Sequence, residues 1–114
     1  MDAVKNDVKR LVKAELAAAN RKHRMFASTH EGVAVIQEEA VEAAKETDRL
    51  RRELNSMWLG VYSDNPQIST KGVYDAAVAL AVEAIQVAAM ARQFERSQRR
   101  GWPGSKERDY EKEE

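Results

Sequence analysis

The chain has 114 residues, 43% of them hydrophobic and 33% charged, and its 19 basic and 19 acidic side chains cancel to a formal net charge of zero. That length suits one domain with one core, and the balanced charge gives no electrostatic reason to expect nucleic acid or a membrane surface as a partner. Cysteine is absent, so disulfide staples and thiolate metal sites are excluded, and a reducing, cytoplasmic setting fits.

The N-terminus, MDAVKNDVKR, is charged and has no apolar signal core. Val4, Val8, Leu11, Val12 and Leu16 recur at helical spacing with lysines between them. The pattern predicts a first helix from Asp2, its candidate cap, to about Arg21, with one apolar face against a bundle. A basic cluster, Arg21, Lys22, His23 and Arg24, interrupts it before Met25 and Phe26. Ser28 through Glu31 then reads as a capping box, with Phe26 or Ala27 as its hydrophobic staple.

A second helix is predicted from Thr29 to about Trp58. Val33, Ile36, Ala40, Ala43, Thr47, Leu50, Leu54 and Met57 alternate at spacings of three and four, a core-facing seam, with Trp58 capping the core at its end. Beside the seam stand Glu38, Glu39, Glu42 and Glu46, followed by the basic residues Arg49, Arg51 and Arg52, an order that suits the helix dipole. Residues 60–70 read as a turn marked by Asn65-Pro66, with Ser69 or Thr70 as the next cap.

The third helix is the element around which the others are arranged. In Val73 to Ala91 only Asp75, Glu83 and Gln86 are polar. A helix apolar all round is buried on all sides. Its apolar run is short for a membrane span and holds Glu83 and Gln86 near the middle, so a buried soluble helix, extending to about Gln98, is predicted. The segment 99–114 has no apolar period and reads as a charged, flexible tail in which Trp102 is exposed. The fold expected is all-α, one domain over residues 1–98, an antiparallel bundle of three main helices completed by oligomerisation.

Glu38-Glu39-Ala40-Val41-Glu42 places Glu39 and Glu42 one turn apart, an arrangement of oxygen donors that hard cations such as magnesium use. An EExxE run is ordinarily a solvated acidic face. Two features favour a site here: the run lies beside the core seam, and the third helix carries Glu83 in an apolar setting, where an unpaired carboxylate is costly. His23 and His30 lack a second histidine at metal spacing. No phosphate-binding glycine loop and no nucleophile motif is present.

The segments HEGVAVIQEEAVEAAKE (His30 to Glu46) and AVEAIQVAAMARQF (Ala81 to Phe94) resemble the MazG-like, all-α nucleotide pyrophosphohydrolase superfamily, in particular its small phage and prophage members. The resemblance implies metal-dependent hydrolysis of a nucleoside triphosphate to the monophosphate and pyrophosphate, with Mg2+ (or Mn2+) as cofactor and a homodimer or homotetramer as the working form. Carried over by position, it implies metal ligands at Glu39, Glu42, Glu83 and Gln86, with Glu38 as a ligand or as the base for the attacking water. Two departures stand out. Gln86 replaces an expected aspartate, and the interval from Glu42 to Glu83 is longer than the family's usual spacing. A second function class therefore remains open: a non-catalytic, oligomeric helical interaction module whose acidic residues meet basic neighbours such as Arg92. A stand-alone structural bundle is the third.

Overall fold

The computed structural model describes residues 2–22, 25–64 and 67–102. They form three helices and no strand: α1 (Asp2–Lys22), α2 (Thr29–Tyr62) and α3 (Lys71–Arg99). Both α1 and α2 pack on α3, and they make no comparable contact with each other. The third helix is thus the shared wall of the molecule, as its composition predicts.

The ends of the helices follow local chemistry. Ser28 is extended and its Oγ accepts the Glu31 amide at 3.1 Å, satisfying a donor that α2 cannot use internally. Phe26, just before it, is buried. The second helix runs past Trp58 and Gly60 to Tyr62, and Asp64 takes a left-handed φ of 59° at the exit, which aspartate tolerates better than most residues. Asn65-Pro66 lies outside the described residues, as does His23. At the start of α3 the Ser69 hydroxyl accepts the Lys71 amide at 3.2 Å, while Thr70 makes no side-chain cap. The end of α3 is a Schellman motif: Gly101 is left-handed at φ 76°, its amide donates to Gln98 O, and the Trp102 amide donates to Ser97 O. Trp102 does not stand free, contrary to the sequence expectation. It packs edge-on against Phe94, with ring centroids 5.0 Å apart, because the motif turns the chain back over the helix. The rest of the predicted tail, 103–114, lies outside the described residues.

The beginning of α2 meets the end of α3, and the end of α2 meets its beginning. Gly32 sits under Phe94 and Phe26, Glu53 lies against Gly72, and Gly60 lies beside Ile68. At the first of these junctions the Phe26 amide donates to Ser97 Oγ at 3.1 Å, and the Ser97 hydroxyl donates to Gln93 O at 2.9 Å. Gln93 is buried there too, and its Oε1 has no hydrogen-bond partner among the described residues.

Three expectations about burial need correction. The face of α2 turned inward carries Gly32, Ile36, Glu39, Ala43, Glu46, Leu50, Glu53 and Met57, so it keeps Ile36, Ala43, Leu50 and Met57 of the predicted seam but is rotated toward the glutamates, and Val33, Ala40 and Leu54 are exposed. A three–four repeat fits more than one face of a long helix, and only the close approach at Gly32 selects one. Trp58 does not cap the core: it is 56% exposed and stacks on Tyr62 at 5.9 Å. Finally, α3 is not enclosed within a single chain. Two flanking helices cover two sides of it, so only Ala76, Ala89, Gln93 and Ser97 are fully buried, while Tyr74, Val78 and Val82 remain open. By length and composition α3 could cross a bilayer, a test that the core helix of a soluble bundle also passes.

The junction at Gly32 has no room for a side chain. A methyl there would stand 2.5 Å from Phe94 Cδ2 and 3.0 Å from Phe26 Cδ2, whereas at Gly60 it would meet only Ile68 at 3.2 Å. Gly32→Ala is expected to cost about 1–3 kcal/mol by overpacking and Gly60→Ala distinctly less. Paired thermal or urea melts of the two variants check this.

Candidate functional site

The inward face of α2 carries an unusual series, Glu39, Glu46 and Glu53, spaced by seven residues and each half-buried. Half-buried carboxylates need partners, and two of the three have one. Glu46 Oε2 accepts from Arg49 Nη1 at 3.3 Å, one turn along the same helix. Glu53 rests against Gly72, at the first turn of α3, where a helix N-terminus favours negative charge. A side chain at Gly72 would displace the Glu53 carboxylate from this position.

Glu39 is the exception. Its surroundings are Glu83 from α3, Glu42 and Glu38 from its own helix, and Glu15 from α1. Burial, and then these carboxylates in that order, hold its carboxyl above the usual range. Glu42 is partly neutralised by Lys45 at 3.1 Å, but both side chains are more than half exposed, so the pair is weak. Among the described residues neither Glu39 nor Glu83 has an ion-pair partner.

The predicted site residues divide into two groups. Glu83, across the α2–α3 contact, is the carboxylate that acts most strongly on Glu39, with Glu42 and Glu38 on the exposed flank. Those two flanking glutamates, with Glu39, line a shallow cleft that also takes in Ala34, Gln37 and Val41. Gln86 faces the other neighbour. It lines a groove between α1 and α3 with Leu11, Ala14, Glu15, Val82 and Ile85. Asp75 pairs with Lys71 at 2.7 Å, and Arg92 pairs with Glu95 at 2.9 Å. Arg92 therefore does not serve the acidic cluster, contrary to the expectation attached to a non-catalytic module.

Glu15 is the residue that sequence reasoning missed. It both raises Glu39 and shares a groove with Gln86, which makes it the link between the two groups. Its signal was legible: it stands on the apolar stripe of α1, four residues after Leu11 and three after Val12, the same anomaly that marks Glu83 on α3.

Chemically the cluster is a set of oxygen donors that repel one another, which suits a hard divalent cation in kind. Among the described residues no group of three or more acidic or histidine side chains converges to metal-holding positions. What the single chain offers is a pair of unneutralised carboxylates on two helices, with further carboxylates close by.

The pH dependence follows from the raised Glu39. A carboxyl whose value is higher in the folded state than in the unfolded state favours folding when protonated. Its contribution is complete below the ordinary carboxylate range and is lost as pH rises through the folded value. In metal-free buffer, Glu39→Gln should raise the thermal midpoint at neutral pH and flatten its decline between mildly acid and neutral pH. Melting curves across that window measure both effects.

The chain matches no family model, no curated protein and no solved structure.

Proposed function

We propose that this chain is a cytoplasmic, phage-type hydrolase that cleaves nucleoside triphosphates to monophosphate and pyrophosphate with the help of magnesium, or manganese in its place. It works as an antiparallel helical bundle completed by further copies of itself, as a homodimer or homotetramer. The observation that carries this reading is the influence of Glu83 on Glu39 from a different helix, neither of them paired with a basic side chain among the described residues. Like charges held together at a half-buried position are costly, and such carboxylates cluster where function requires them. The sequence resemblance supplies the reaction class.

In this reading Glu39, Glu42 and Glu83 would hold the cation, and Gln86, which lines the groove with α1, would serve only as a weak ligand through a water molecule. The bound cation would neutralise phosphate charge and lower the pKa of a water molecule. Glu38, exposed on the flank of Glu39, would orient that water and take its proton. Glu15 keeps the local field negative, and so strengthens the demand for a cation. The amide at Gln86 contributes no charge, so the site binds magnesium less tightly than an all-carboxylate one.

A second reading is kept because, among the described residues, no three acidic side chains converge and because Gln86 is neutral. It is an oligomeric helical module that holds the same fold without turnover.

One experiment separates the two. Purified protein is given magnesium and a panel of ribo- and deoxynucleoside triphosphates, and pyrophosphate is measured. The hydrolase should release it, and Glu39→Ala or Glu83→Ala should lower the rate about 10–100-fold or more. Magnesium should also raise the melting temperature of the parent chain but not of Glu39→Ala, a readout independent of turnover. If no pyrophosphate forms and millimolar magnesium gives neither heat nor thermal shift, the module reading stands and the hydrolase is lost.

A further inference from the structure

The groove between α1 and α3 has two matching walls. Leu11, Ala14 and Glu15 form one, and Val82, Ile85 and Gln86 form the other. Each wall is one helical turn with the spacing i, i+3 and i+4, so its three side chains share a face. Each offers two apolar residues and one polar group. Glu15, Ile85 and Gln86 are partly buried, while Leu11 and Val82 stand at the open edge.

The chain makes no use of either polar group. Among the described residues Glu15 has no ion pair, and neither Glu15 nor Gln86 makes a side-chain hydrogen bond. Ligand sites have this composition: walls that are mostly apolar, with a few polar groups that fix orientation. The groove holds about 300 Å³, the small end of the range for such sites, which suits the base of a nucleotide better than the whole molecule. Glu15 also acts on Glu39 through its charge, so the groove adjoins the acidic pair where the phosphates would be held.

The donor pattern selects among bases. An ionised carboxylate accepts two parallel N–H donors at once, and a carboxamide NH2 donates to a carbonyl oxygen. On its pairing edge guanine presents two adjacent donors, N1–H and the 2-amino group, beside the O6 acceptor. Adenine and cytosine place a ring-nitrogen lone pair next to their amino group. Uracil and thymine flank a single N–H with two carbonyls. Each of these four sets an acceptor against the carboxylate, and only guanine does not. The apolar residues of the two walls are of the kind that hold the faces of a base read on this edge.

We infer that the α1–α3 groove receives the base of the nucleoside triphosphate and selects guanine, with Glu15 accepting from N1–H and the 2-amino group and Gln86 donating to O6. The inference rests on the hydrolase reading for the class of ligand, and it adds the identity of the base. Glu15 becomes a specificity-determining residue, in addition to its influence on Glu39.

The test reads preference as well as rate. Pyrophosphate release with magnesium is measured for GTP, XTP, ATP, CTP and UTP on the parent chain, Glu15→Gln and Gln86→Leu. Xanthine carries a carbonyl where guanine carries the 2-amino group. In parallel, binding of GMP, XMP and AMP in metal-free buffer is followed by saturation-transfer NMR, which needs neither cation nor turnover. The parent should favour guanine over every other base by at least about tenfold, in kcat/KM and in binding. Glu15→Gln should reverse the order of guanine and xanthine, because an amide complements N1–H and the added carbonyl, and Gln86→Leu should weaken the guanine preference. A merely structural role for Glu15 would not produce that reversal. An equal fall on all triphosphates in Glu15→Gln, with the preference unchanged, overturns the inference and leaves Glu15 only its effect on Glu39. A parent that uses all bases alike, or prefers another base, also overturns it while the hydrolase stands. Guanine-selective binding that Glu15→Gln abolishes, without pyrophosphate release from any triphosphate, supports the groove and removes the hydrolase. Absence of both turnover and base-selective binding removes both.

Discussion

The architecture depends on a single constraint: α1 and α2 each find their packing partner in α3 and not in each other. An apolar helix placed between two amphipathic ones can satisfy both. The fully buried hydrophobic residues among those described are Phe26, Ala76 and Ala89, two of them alanines on α3. Small side chains on the shared wall let the neighbouring helices approach closely, and Gly32 does the same on α2. That closeness is bought with side-chain volume, so hydrophobic burial within one chain is modest. Gln93 and Ser97 fill the remaining buried positions at the end of α3, and Ser97 links the chain before α2 to the last turns of α3 through the Phe26 amide.

The same constraint organises the charges. Because α3 lies between the other helices, acidic residues turned toward it from α1 and α2 at the level of Glu83 are brought under a common influence. Glu15 and Glu39 arrive from opposite sides in this way. The remaining inward glutamates of α2 are quieted by local devices, an arginine one turn away for Glu46 and the start of α3 for Glu53. The contrast isolates Glu39. Along a single helix face with glutamates at equal spacing, Glu39 is the one that faces another carboxylate, Glu83, across the helix contact, and its carboxyl is pushed up. Repulsion of this kind is a local cost that the fold carries, and such costs tend to concentrate where a ligand relieves them.

Some of the site was open to inspection in the linear sequence. Glu83 declares itself as a carboxylate in an apolar run, and the EExxE group as a candidate partner. What spacing could not give was the direction in which each side chain faces. Glu83 and Gln86 share a helical face by count, yet Glu83 acts on α2 while Gln86 lines the groove with α1, because a difference of some 60° around the helix, at about 100° per residue, is enough to change neighbours. Arg92 could be placed near the acidic group by sequence distance, and it pairs with Glu95 instead. Glu15 carried a signal of the same kind, but its effect on Glu39 depends on how α1 and α2 are each placed on α3, which spacing along α1 does not encode.

The sequence by itself determined the elements: three helices, the Ser28 cap of α2, and α3 as the helix the others need. These follow from interactions between residues a few positions apart, which periodicity and capping chemistry record directly. The tertiary structure decided everything that depends on rotation and approach. It turned α2 so that Val33 and Leu54 face outward and Glu39 inward, folded Trp102 back onto Phe94, left Trp58 in the open, and uncovered one side of α3. The physical reason is that a three–four repeat marks a broad stripe compatible with several helix orientations. The choice among them is made by contacts such as Gly32 under Phe94, between residues 62 positions apart, which no local pattern encodes.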